Sequence, residues 1–350
     1  MRAEKLISDP VFQLNLLLWM AKEQPDECFR VRPVFHDLGF VTLAIEQPFR
    51  FPVAVSNQIA VASLEIGSQP EPELILANHA RKQAIYFECK AHSFGSESSN
   101  CKQARGHMVA TGDAFAEVFH PLESCLLTYL IPEAERQGMQ SCLRQMHAGL
   151  SSAGFSTGRF SVHGLRVQGS SIIYTWDDAC TDYLATAQPP QAQVAVLENI
   201  QPETNPAPLM LVYSDEDCPD ETSRDQYRRI LCEKLRACLL CELNQQAGLG
   251  PAVLSADGLL HSTTGGMYKY LGRERQKKLQ AFVRTNVFGF IAAGTVKSTH
   301  TLAKCDGPTL TLTWTTANEK RKFLEWLEDR KNMFPAERIK EPQMPLFVSE

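Results

Sequence analysis

Glu73, Glu88 and Lys90 are the residues of this chain whose types and spacing could do chemistry together. Glu73 sits in the stretch Glu71-Pro72-Glu73-Leu74-Ile75-Leu76, while Glu88 and Lys90 close the run Ile85-Tyr86-Phe87-Glu88-Cys89-Lys90. Both stretches are apolar-rich, and the polar segment Asn78–Gln83 between them predicts two adjacent strands joined by a turn. Strand side chains alternate between faces, so Ile85, Phe87 and Cys89 should point one way and Tyr86, Glu88 and Lys90 the other. Ile85 and Phe87 suit a core, and Glu73 arrives from the neighbouring strand. Two carboxylates beside an ammonium are what metal-assisted phosphodiester hydrolysis requires. The carboxylate oxygens hold a hard divalent cation, which neutralises charge on the phosphate and activates water.

An E-x-K tripeptide alone is expected about once by chance in a chain of this length and carries no weight without context. Glu88-Cys89-Lys90 is the only E-x-K present, and the only D-x-K, Asp329-Arg330-Lys331, falls on a helical pattern that would splay its charged groups apart. The context of the first match is β-branched and aromatic, with a Pro-Glu strand before it and a polar loop and helix after it. The competing reading is a strand with a solvated Glu/Lys face.

Pro72-Glu73 followed by Glu88-x-Lys90 resembles the PD-(D/E)xK nuclease superfamily, which includes type II restriction enzymes, Holliday-junction resolvases and RecB-like nucleases. The specific part of the resemblance covers roughly residues 70–110. Glu73 departs from the commonest family residue, Asp, although Glu also ligates metal. The resemblance implies a restriction endonuclease-like α/β fold, a mixed sheet flanked by helices. It further implies that Glu73 and Glu88 ligate Mg²⁺ (or Mn²⁺), joined by the backbone carbonyl of Cys89, while Lys90 orients the attacking water. In this superfamily a Gln or Lys on the helix after E-x-K often completes the site, and Gln103 matches that position.

The flanking elements follow from local signals. Ser8-Asp9-Pro10 predicts a helix start, with a capping side chain and Pro at the first helical position, running to about Glu23 with an apolar stripe of Leu14, Leu17, Leu18 and Ala21. Gln13 stands beside that stripe and is assigned no role. Residues 35–66 carry β-prone runs at Phe40–Ile45 and Ile59–Ile66, and acids there (Asp37, Glu46, Glu65) read as solvent-exposed more readily than as ligands. A hydroxyl-rich loop follows Lys90, and Cys101–Phe119 reads as one helix. Gln103, Arg105 and His107 lie in its first turns, where the dipole favours phosphate; the alternative is a solvated helix start. Ser124–Ile131 predicts a buried strand, Glu133–Leu150 a helix, and Phe160–Val167 with Ser170–Trp176 a hairpin turned at Gln168-Gly169.

Composition bounds the rest. With 350 residues, 44% apolar and 21% charged, the chain is an ordinary globular sequence long enough for two domains. A net charge of −5 excludes a uniformly basic protein and leaves room for local basic patches. Eleven cysteines lie scattered through predicted strands and helices, which suits reduced thiols in a cytoplasm. Cys238-x-x-Cys241 lacks the further pair a zinc site needs. The early apolar run Leu16–Ala21 is too short to span a bilayer and is followed by Lys22 and Glu23, so neither a membrane span nor a secretory signal is expected.

Residues 1–187 are expected to form the nuclease domain, proline-rich 188–208 a linker, and 209–350 an α+β domain that recognises substrate or a partner. In the last, Leu209–Tyr213 reads as a strand, Glu221–Gln245 as a long helix, Thr309–Trp314 as a strand and Ala317–Lys331 as a helix. Arg273, Arg275, Lys277 and Lys278 face one acid, Glu274, and follow Tyr268 and Tyr270, which makes a second candidate nucleic-acid surface or a solvated helix face. The expectation is a cytoplasmic, metal-dependent endonuclease acting on DNA, in restriction, phage defence or repair. Two rivals stand beside it: a non-catalytic nucleic-acid-binding protein, and an assembly subunit of a multi-protein defence complex.

Overall fold

The computed structural model describes residues 3–23, 31–95, 99–184, 192–200, 206, 209–213, 215–216, 218–246, 248, 250–298, 301–329 and 331–338. The chain divides into two compact units. The first comprises residues 1–210 with Tyr270–Gly272; the second comprises Leu211–Lys269 with Arg273–Glu350.

The first unit is built on a seven-stranded mixed sheet whose spatial order follows the chain: β1 (Val41–Ile45), β2 (Leu74–Asn78), β3 (Gln83–Cys89), β4 (Ser124–Pro132), β5 (Arg159–Gln168), β6 (Ser171–Thr175) and β7 (Gln193–Glu198). The three central strands β3, β4 and β5 are parallel, and both flanks are antiparallel. Parallel neighbours need crossover connections. α3 (Ser99–Ala110) and α4 (Asp113–Val118) lie between β3 and β4, and α5 (Arg136–Ser152) lies between β4 and β5.

These helices explain why β3 is buried along nearly its whole length. Ala84 to Cys89 are all buried because the strand is covered on both faces. Ala84 and Tyr86 pack into a core with Met108 and Val109 of α3 and Met139, Leu143 and Met146 of α5. On the other face Phe87 meets Phe35 at 5.4 Å and His163 at 6.2 Å, edge to face. α1 (Pro10–Met20) starts as its sequence predicts, with the Asp9 carboxylate accepting from the Val11 and Phe12 amides and Pro at the first turn. It is buried on every side rather than along one stripe; Leu16, Leu17 and Leu18 are each 0% exposed, and burying such a side chain contributes about 1.5–3 kcal/mol.

Several elements differ from the sequence reading. The run around Ile59 is helical, α2 (Val53–Val61), and not a strand. Cys101–Phe119 is two helices, because Gly112 lies against the Ser156 carbonyl and a Cβ there would stand 2.6 Å from that oxygen. β7 falls inside the stretch assigned to the linker, pairing with β6 from Ser171↔Glu198 to Thr175↔Gln193, so the first unit runs past residue 187. Of the prolines in this stretch, those at 189–190, 202 and 208 lie outside the described residues. Leu209–Tyr213 carries no strand.

The second unit is α+β. It contains α6 (Glu221–Gln245), β8 (Ala252–Ser255), α7 (Ala256–Thr263), α8 (Arg273–Phe282), α9 (Gly289–Ser298), β9 (Leu302–Asp306), β10 (Thr309–Thr313) and α10 (Ala317–Glu328). Its sheet is antiparallel in the order β8-β10-β9. A capping box between Thr316 and Glu319 starts α10. Among the described residues no helix is long and apolar enough to cross a membrane. Cys89 and Cys125 are buried free thiols, and Cys238 and Cys241 are free as well.

Candidate active site

The β2–β3 register places the two carboxylates. Leu74 pairs with Phe87, so the next positions outward on the two strands are Glu73 and Glu88. Directly opposed residues share a face, which aims both side chains at one point. The Glu73 backbone carbonyl accepts from the Glu46 amide at 3.2 Å, tying it to the end of β1. Its carboxylate accepts from the Cys89 amide at 2.8 Å. Lys90, two residues beyond Glu88 and so on the same face, puts Nζ 2.9 Å from Glu88 Oε2 and 3.5 Å from Glu73 Oε1. The Lys90 amide donates to the Leu130 carbonyl at 2.9 Å, fixing the chain as it leaves the parallel pair. The three side chains singled out by spacing therefore meet.

Burial sets the electrostatics of this triad. The Glu88 side chain is 1% exposed, Glu73 14% and Lys90 21%. Burial alone would push the Lys90 ammonium down, but the Glu88 and Glu73 carboxylates outweigh it and hold its pKa well above the ordinary value. Lys90 is thus a permanent cation at neutral pH. Taken by themselves, the two carboxylates and the one ammonium sum to a formal charge of minus one in a largely buried site, where charge is held by opposite charge or hydrogen bonds.

Two polar residues that carried little or no weight in the sequence also belong here. His107 on α3 is fully buried, with Nε2 3.3 Å from Glu88 Oε1 and Nδ1 2.6 Å from the Tyr86 hydroxyl. α3 comes this close because Gly106 lies on the Gly67 backbone, where a Cβ would stand 2.7 Å from the Gly67 carbonyl. Gln13 on α1 is also fully buried, its amide donating to the carbonyls of Ile7 at 2.7 Å and Lys90 at 3.2 Å. It holds the backbone of the site lysine from the opposite face. Gln103 lies one turn before His107 and is exposed, so on this helix it is His107 that reaches Glu88. A polar residue, one of two with Asn15 on a helix that is apolar elsewhere, was the available signal for Gln13; for His107 it was the four-residue spacing from Gln103.

The donor set fits a hard divalent cation. Carboxylate oxygens are its natural ligands, and Mg²⁺ commonly uses one or two carboxylates, completing its shell with water and substrate phosphate. Neither Glu88 oxygen has a hydrogen-bond donor aligned on it, and a buried carboxylate so placed is satisfied by charge. Among the described residues no group of three or more His, Cys, Asp or Glu side chains is gathered as a complete cage.

The candidate nucleic-acid residues are spread over both units. Arg105 donates to the Glu65 carbonyl at 3.1 Å, anchoring the segment between α2 and β2. In the second unit Arg273, Lys277 and Lys278 are exposed along α8. Glu216 pairs with Arg275 at 2.9 Å and also with Lys278, and Lys277 pairs with Glu274 at 2.7 Å. Among the described residues these pairs set two acids against the four bases, where the sequence of the helix alone sets one. The helix face is less basic than its own sequence suggests.

Burial also makes a pH prediction. His107 and His163 are both pulled down to about 4, chiefly by desolvation, against an ordinary value of 6.5. The unfolded chain therefore binds more protons between pH 6.5 and 4, and stability must fall as pH drops through that window. Each histidine contributes a slope of about 1.4 kcal/mol per pH unit, so two approach about 2.7 where both differ fully between states. Urea unfolding of the whole chain from pH 7 to 5 measures this slope; a flat profile would show that these imidazoles are hydrated.

Protein-family models, curated proteins and solved structures give no match to this chain.

Proposed function

We propose that the chain is a Mg²⁺- or Mn²⁺-dependent nuclease that hydrolyses phosphodiester bonds of DNA. The observation that carries this reading is the Lys90 ammonium lodged between Glu88 and Glu73, 2.9 and 3.5 Å away, where β2 begins and β3 ends. Glu73 and Glu88 would hold the cation, with the Cys89 carbonyl as a third donor. When bound, the cation supplies charge neutralisation on the phosphate and lowers the pKa of its water. The protein's own part is positional. The surplus negative charge draws a cation to this point, and Lys90 donates to the attacking water and to the phosphate oxygens as charge develops there. Arg105 and the α8 bases would add sequence-independent phosphate affinity. Restriction, phage defence and repair are the settings that the resemblance suggests.

The test is cleavage of plasmid, linear and single-stranded DNA by the purified chain. Cutting is expected in Mg²⁺ or Mn²⁺, loss of cutting in EDTA, and binding with little turnover in Ca²⁺, which takes the same oxygens with looser geometry. Cutting that survives EDTA would overturn the metal chemistry. DNA binding without cutting in any metal would leave the non-catalytic reading.

A further inference from the structure

Resting on that metal-site reading, we propose that His107 is a positioning residue that decides which oxygen of Glu88 faces the cation. Oε1 lies 3.3 Å from His107 Nε2, and Oε2 lies on the other side, 2.9 Å from Lys90 Nζ. Neither Oε1 nor Nε2 has a hydrogen-bond partner, their own 3.3 Å approach not being aligned as one, and both are shut away from water. Two bare lone pairs facing each other in a dry core repel, so a proton must lie between them. The other ring nitrogen settles where it comes from. Nδ1 stands 2.6 Å from the Tyr86 hydroxyl, a group that can donate to it. With Nδ1 accepting, the neutral ring carries its hydrogen on Nε2, on the side of Glu88, where a small turn of the carboxylate would let Oε1 accept it.

The consequence is a chain of three buried groups from adjacent elements. Tyr86 of β3 fixes the tautomer of His107 on α3, and His107 holds Oε1 of Glu88 inward. Only Oε2 is then presented on the side of Glu73 and Lys90, which makes Glu88 a one-oxygen ligand. Ligand-orienting partners of this kind typically affect metal affinity by about 10–100-fold when removed.

Mn²⁺ binding to the full chain without DNA, followed by electron paramagnetic resonance, tests this apart from activity. His107→Leu is expected to weaken Mn²⁺ binding about 10–100-fold. His107→Gln places an amide N–H near the position of Nε2 and should recover most of that loss. Tyr86→Phe, which frees the tautomer, should fall between them. The ¹⁵N signals of His107 should report Nε2–H in the metal-free protein. Wild-type affinity in His107→Leu, equal losses in the Leu and Gln variants, or an Nδ1–H tautomer would each overturn the positioning role. Should His107→Leu fail to fold, the Gln and Phe variants and the tautomer still decide. Failure of the wild type to bind Mn²⁺ more tightly than Glu88→Gln would instead overturn the metal site itself.

Discussion

The Glu88→Gln variant is expected to fold as well as the wild type and to lose metal-dependent DNA cleavage by about 10³-fold or more. The two halves of this result have one cause. Glutamine keeps the shape of the side chain, so the packing of α3 against β3 is undisturbed. The change removes one negative charge from a site that holds two carboxylates and one ammonium, bringing the formal sum from minus one to zero. Breaking a buried ion pair ordinarily costs about 3–5 kcal/mol because it strands a charge. Here Lys90 still has Glu73 at 3.5 Å, so no charge is stranded, and the stability change should stay within about 1 kcal/mol. On the proposed reading, function and stability separate because the Glu88 charge serves the cation more than the fold. Denaturation midpoints in EDTA, measured beside cleavage rates in Mg²⁺, check both halves. A variant that unfolds readily would mean Glu88 is a structural partner of Lys90 first.

The parts of this architecture legible in the sequence are those set by short-range pattern. The β2–β3 hairpin, the β5–β6 hairpin, the capped start of α1 and the long helix α6 all follow from alternation, turn residues, a capping side chain or apolar periodicity. Two elements escaped because their local signals conflict with their surroundings. α2 is rich in Val and Ile and reads as a strand, yet it follows Phe51-Pro52 and has no buried residue of its own. β7 alternates correctly, with Val194 and Val196 buried, but proline-rich sequence on both sides hides it. Its pairing partner β6 is adjacent in space and is joined through α-helical and proline-rich chain, which no window of sequence spans.

The site divides the same way. Glu73, Glu88 and Lys90 were readable because a strand register fixes faces at a period of two, and an error of one residue would have sent Glu88 to the opposite side. His107 and Gln13 depend on how helices dock onto the sheet, and docking is decided by contacts such as Gly106 on Gly67. The residues lining the interior side of the triad are therefore tertiary information. A Gln on an apolar helix says only that a buried partner exists; that the partner is the Lys90 carbonyl at 3.2 Å follows from the fold.

Removing the ammonium should do the reverse of removing Glu88. Lys90→Ala leaves Glu73 and Glu88 facing each other without a cation between them, and a formal charge of minus two in a site only partly open to water. In EDTA this variant should be destabilised by about 3–5 kcal/mol, the usual cost of stranding buried charge. Divalent metal should restore much of that, since a ligand that binds only the folded state at a hundred times its dissociation constant contributes about 2.7 kcal/mol. Ca²⁺ should therefore raise the melting temperature of Lys90→Ala more than that of the wild type. DNA binding in Ca²⁺ should be nearly normal, while cutting in Mg²⁺ falls by about 10²–10³-fold, the range for loss of one positioned donor to developing charge. Lys90→Arg should recover stability, because its charge is retained, but not turnover, because a planar guanidinium is bulkier and directs its donors along a fixed fork. If Lys90→Ala cuts DNA like the wild type, the lysine is a counter-ion for the two glutamates and nothing more.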